Sequence, residues 1–178
     1  MNNAYLAAID RTDHDRRVIS DLLETSRWFS EAALRARSWC AVPVFEGIGP
    51  AAARGMAAVA VPGTLAKAYT SENGMVEEQY QFVVSDAAFL EFERLLFLRH
   101  FLVISVPEQF AIVHEANYYW AVAASPEFID AAFGMPPLRV IETFERECES
   151  ATASKEREYM LAVAVRCRRT CDSQAAAS

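Results

Sequence analysis

No apolar run in the chain approaches the roughly 20 residues that a membrane-spanning helix requires, because Gly, Pro, Arg or Glu interrupts each candidate. The first residues, "MNNAYLAAIDRTDHD", carry no cationic lead, and about six apolar residues precede Asp10, short of the roughly 7–15 of a secretory core. A soluble, cytoplasmic protein is expected. Histidine is scarce, with three residues placed on different elements, and there are four cysteines. Cys167 and Cys171, in "RCRRTC", stand one helical turn apart, but a zinc site needs about four ligands and no two others have compatible spacing. Reduced thiols are therefore expected, with no metal ion. The neighbouring Arg166, Arg168 and Arg169 would lower the thiol pKa and favour oxidation. Gly47-Ile48-Gly49 is not followed by the glycine and lysine of a phosphate loop, so no nucleotide or other cofactor is expected.

Basic residues are the minority: 17 Lys and Arg stand against 24 Asp and Glu, a net charge of −7. A nucleic-acid duplex needs a dense cationic surface and is excluded as main partner. A protein partner of basic character is easier to accommodate. With 53% hydrophobic and 23% charged residues over 178 positions, the chain has the composition of one globular domain with a substantial core. We assign that domain to residues 1–172 and expect a frayed tail at 173–178.

From Thr12, a candidate N-cap, the stripe Val18, Leu22, Thr25, Phe29, Ala32 and Ala36 predicts one long amphipathic helix. Residues 40–63 are punctuated by Gly and Pro and read least clearly; short strands are expected at 41–45 and 56–61. Asn73-Gly74 between two β-prone runs predicts a hairpin. Ser85 then caps a helix, "DAAFLEFERLLFLRH". The runs "FLVISV", "FAIVHE" and "YYWAVAA", separated by short turns, predict a three-strand meander. A helix from Ser125-Pro126 to Gly134 follows, and C-terminal helices start near Leu138 and break at 150–154. The expected fold is α+β: an antiparallel sheet of about five strands flanked by a long N-terminal helix, a central helix and C-terminal helices. The element order resembles that of profilin-like, roadblock and PAS folds, in topology only.

The stretch "VHEANYYW" looks most like chemistry. In a zinc protease the His-Glu pair sits on a helix and a second His follows one turn on. Here that position is Tyr118, and the composition favours a strand, on which His114 and Glu115 point to opposite faces. A catalytic zinc site is therefore not expected. Two readings remain open for the hairpin: ordinary packing, or an exposed aromatic and acidic patch of His114, Glu115 and Tyr119 with Asn117 and Glu108 at its rim. On the second, the chain is a non-enzymatic interaction module, an acidic adaptor or inhibitor, with homodimerisation through its helices left open. The alternatives are a small-molecule sensor with a cavity lined by some of Phe82, Phe101, Phe110, Tyr118 and Trp120, and a small hydrolase or thiol enzyme pairing Cys40 with His100 or His114.

Overall fold

The structure, a computed structural model, describes residues 5–175 except 11, 26–27, 46, 73–74, 97–98, 116–118 and 152–153. Helix α1 (Asp13–Leu22) begins as its sequence requires: the Thr12 hydroxyl accepts the Asp15 amide hydrogen at 3.2 Å, and the Asp15 carboxylate accepts that of Thr12 at 2.8 Å. The expected long helix stops there. Leu23 is extended, and the chain forms a small hairpin, β2 (Leu23–Thr25) with β3 (Trp28–Phe29), before α2 (Glu31–Ala36). Ser30 caps α2 through the Ala33 amide. The segment is divided between two helices and a hairpin, in which Leu22, Trp28, Phe29, Ala33 and Leu34 are buried, whereas Ala32 and Ala36 of the expected stripe are exposed.

β1 (Ala7–Ala8) is a two-residue edge strand. β4 (Cys40–Phe45) forms as expected, whereas the strand anticipated at 56–61 is the helix α3 (Gly49–Val59). Pro50 in its first turn and a run of alanines explain the helix. The hairpin β5 (Leu65–Glu72) and β6 (Met75–Val83) pairs Glu72 with Met75, which leaves two connecting residues, Asn73 and Gly74, outside those described. Ser85 accepts the Ala88 amide hydrogen at the start of α4 (Asp86–Leu96). The meander is β7 (His100–Val106), β8 (Phe110–Glu115) and β9 (Tyr119–Ala124). Then come α5 (Pro126–Phe133), α6 (Pro137–Ala151) and α7 (Ser154–Ala175). α7 continues through residues 173–175, where a frayed tail was expected; the Gln174 amide donates to the Trp39 carbonyl at 3.0 Å.

The main sheet has seven antiparallel strands rather than five, in the order β1-β6-β5-β7-β8-β9-β4. Both additions are at its edges. The strands β8 and β9, fifth and sixth in that order, are buried at every position, so other elements cover both faces of the sheet there. One face carries Phe82, Phe101, Phe110, His114 and Trp120 against Phe89 and Phe92 of α4 and Phe128 of α5. The other carries Lys67, Tyr69 and Gln79 beneath Asp15 of α1, and Tyr119 beneath Trp28 and Tyr159.

The edge strand β4 is protected from pairing with another chain. The Ala41 amide donates to the Thr170 hydroxyl of α7 at 2.9 Å. Pro43, two residues on and directed the same way, has no amide hydrogen to offer. Helices α6 and α7 both pack on this strand.

Candidate functional site

The extended backbone at β8 places His114 and Glu115 on opposite faces, and both are interior: His114 is 3% exposed, Glu115 2% and Tyr119 3%. The expected exposed crown is not formed by these three residues, because each face of the hairpin is covered by other elements. The His114 ring lies 4.7 Å from both the Phe101 and the Trp120 rings, and its Nδ1 is 2.7 Å from the Arg99 carbonyl oxygen. A carbonyl only accepts, so Nδ1 carries the hydrogen. Burial holds His114 at about 4, below its ordinary 6.5; the Arg99 carbonyl partly offsets this and His100 adds to the lowering.

On the opposite face Glu115 and Tyr119 are register partners. Tyr119 meets Trp28 edge-on at 6.2 Å and hydrogen-bonds Tyr159, and the Arg166 guanidinium lies 4.7 Å from the Trp28 ring centre. Burial pushes the Tyr119 phenol well above its ordinary value, with Tyr159 and Glu115 adding to the rise. Glu108 is remote from all three. It lies at the other end of β8, where its carboxylate accepts from the Arg37 guanidinium at 2.8 Å. Asn117 and Tyr118 lie outside the described residues.

The residues expected to line a cavity instead fill a core. Phe101 is in ring contact with Trp120 at 4.8 Å and with Phe92 at 4.6 Å, and Phe110 contacts Phe89 and Phe128. A Cys40–His114 dyad also fails on register. Cys40 pairs with Ala124, which pairs with Phe110, whereas the His114 row passes through Trp120 to Val44. Four residues along a sheet separate the two rows by about 13 Å. Among the described residues, no group of three or more His, Cys, Asp or Glu is placed to hold a metal ion. Nor is any described helix long and apolar enough to cross a membrane.

A concavity exists elsewhere, in the stretch where the sequence was least readable. A groove of about 280 Å³ lies between the β4 edge, α3, α5 and α6. Val44 and Phe45 form one wall, Ala51 and Ala52 a second, Phe133 a third, and Val140 and Phe144 the fourth. Thr143 and Glu147 supply its polar margin. Its depth follows from small residues. The helices α3 and α5 approach so closely at Gly55 that a side chain there would overlap the Ala132 carbonyl oxygen. The alanines facing the groove then leave room that larger side chains would fill.

The start of α3, at the groove's edge, is held by a carboxylate from α4. Glu93 accepts the backbone hydrogens of Ile48 and Gly49, which stand at a helix start that has no side-chain cap of its own. Burial raises Glu93 above its ordinary value, and the two amides partly offset the rise. The sequence offered short strands at 41–45 and 56–61 in this region and no groove; the residues that enclose it come from four separate elements. Comparison with protein-family models, with curated proteins and with solved structures finds no match to this chain.

Proposed function

We propose that the chain is a protein-interaction module that seats an apolar side chain of a basic partner segment in the groove between β4, α3, α5 and α6. The observation that carries this reading is the groove itself, with apolar walls from Val44, Phe45, Ala52, Phe133, Val140 and Phe144 and Glu147 at its margin. At about 280 Å³ it is just below the roughly 300–1,000 Å³ of small-molecule sites, which favours one or two side chains over a cofactor. The carboxylate at the margin and the net charge of −7 favour Lys or Arg beside the inserted residue. Recognition then divides into two parts: burial of an apolar anchor supplies affinity, and long-range attraction supplies on-rate and selectivity.

Fluorescence anisotropy with labelled peptides carrying one Leu or Phe between Lys and Arg residues tests this directly. Binding to the wild-type chain is expected to weaken with salt, to fall at least tenfold in Ala52→Trp, which fills the groove, and to weaken in Glu147→Lys. Equal binding by Ala52→Trp, or equal binding of Asp- and Glu-flanked peptides, would overturn the reading.

A further inference from the structure

The three thiols Cys40, Cys167 and Cys171 meet where the start of β4 contacts the last turns of α7, and two of them are positioned for covalent chemistry. Cys40 is fully buried and Cys171 is partly exposed. The Cys40 thiol hydrogen-bonds the Cys171 sulfur. Two further hydrogen bonds bracket this contact. Trp39, just before Cys40, accepts from Gln174 at 3.0 Å, and Ala41, just after it, donates to Thr170 at 2.9 Å. The Thr170 hydroxyl in turn donates to the Cys167 carbonyl at 2.7 Å. Strand and helix are therefore clamped on both sides of the two sulfurs.

We propose that Cys40 and Cys171 are a redox modification site, which a hydroperoxide converts reversibly to a disulfide joining α7 to β4. The roles of the two thiols differ. Cys171 is the one solvent can reach, and the Cys40 hydrogen bond lowers its pKa, with Thr170 and Arg168 assisting against burial and the Asp172 charge. It is the attacking thiolate. Its sulfur takes the distal oxygen of the hydroperoxide, the O–O bond breaks, and the alkoxide or hydroxide leaves as the alcohol or water after protonation. Cys171 is then a sulfenic acid. Cys40, whose pKa is raised chiefly by its hydrogen bond to Cys171, attacks that sulfur as resolving thiol. The S–S bond forms, the S–O bond breaks, and the hydroxyl departs as water with the Cys40 proton. Two thiols are oxidised and one hydroperoxide is reduced; a small-molecule dithiol reverses the reaction by exchange.

Burial sets the other two cysteines apart from Cys171. Cys167 lies four residues before Cys171 on one helix, where Cβ atoms stand about 5–6 Å apart, beyond the roughly 3.5–4.5 Å that a disulfide spans. It is also fully buried, which pushes its thiol well above the ordinary value. Cys148 is buried in α6, and burial beside Glu147 pushes its thiol up to about 11.

The test is intact-mass analysis and non-reducing peptide mapping of the full chain after hydrogen peroxide treatment. The expected result is loss of two hydrogens, a single Cys40–Cys171 link, and full reversal by dithiothreitol. Cys171→Ser is expected to abolish the mass change and Cys148→Ser to leave it intact. Cys40→Ala should stop the reaction at a Cys171 sulfenic acid that dimedone traps. If Cys40→Ala does not fold, the wild-type map decides alone. A link through Cys148 or Cys167, or peroxide oxidation confined to methionine, would overturn the proposal.

Discussion

Gly55 of α3 lies against the backbone carbonyl of Ala132 in α5, with no room between them for even a methyl group. This crossing sets the distance between two walls of the groove, since Ala51, Ala52, Ala132 and Phe133 flank it. Two effects of opposite sign meet at this position. Alanine is favoured over glycine inside a helix by about 1 kcal/mol. Overpacking costs roughly 1–3 kcal/mol, and the upper end applies here because the obstacle is backbone and has no rotamer to change. Gly55→Ala is expected to destabilise the fold by about 1–2 kcal/mol net and to widen the groove. Urea denaturation reads the first effect; an unchanged midpoint would mean that the helices are not in contact at this point.

Acid sensitivity should arise in part from His114. Its ring titrates at 6.5 in an unfolded chain and at about 4 in the folded one, so between these values the unfolded state binds the proton and the folded state does not. Stability therefore falls as pH drops from 6.5 to 4, by roughly 3 kcal/mol at about 1.4 kcal/mol per pH unit. In His114→Phe, which keeps a ring between Phe101 and Trp120, this slope should vanish from denaturation midpoints measured between pH 4 and 7. A slope that survived the substitution would assign it to another group.

Asp15 is nearly inaccessible, and its carboxylate accepts from Lys67 at 2.7 Å, Tyr69 at 3.0 Å and Gln79 at 3.3 Å, as well as from Thr12. Burial works to raise its pKa, but the hydrogen bonds from Lys67, Thr12 and Tyr69 outweigh it and hold the carboxyl well below the ordinary carboxylate range. Its contribution is therefore complete above about pH 4 and is lost as pH falls further. Breaking a buried pair costs roughly 3–5 kcal/mol. Lys67 keeps partial access to water, so Asp15→Asn is expected to cost about 2–3 kcal/mol, with α1 loosened from the sheet. Hydrogen exchange of the α1 amides provides the check, since fast exchange there alone would show that the helix has come away.

Gly47 stands at φ +124°, and a Cβ there would overlap the Glu93 carboxylate that caps α3. Gly47→Ala should therefore act at a distance in sequence, by pushing Glu93 off the Ile48 and Gly49 amides. Loss of a cap costs about 1 kcal/mol and a strained backbone roughly 1–3 kcal/mol more. Glu93→Gln, which keeps an acceptor, should cost less than Gly47→Ala in the same thermal melt. The reverse order would show that the carboxylate charge, rather than the hydrogen bonds, holds the helix.

Local chemistry was legible in the chain wherever neighbours in sequence are also neighbours in space. The caps at Thr12, Ser85 and Ser125, the hairpin about Asn73-Gly74 and the three strands of the meander all depend on contacts a few residues apart. Helical period misled at Thr25 and Phe29, because a stripe of apolar residues says that a segment is buried without saying that it is continuous. The stretch 56–61 read as a strand for a related reason: the start of the helix that takes its place is held by Glu93, more than 40 residues away.

The amino-acid order alone determined that Phe110–Glu115 and Tyr119–Ala124 run extended, and hence that His114 and Glu115 diverge, since alternation along a strand is a property of the backbone. Whether either side chain would meet water was decided by α4 on one face and by the Trp28 hairpin and α7 on the other. The same holds for the groove and for the Cys40–Cys171 contact. Each is assembled from segments far apart in the chain, and only the packing of helices against the sheet, driven by burial of the whole core, brings them together.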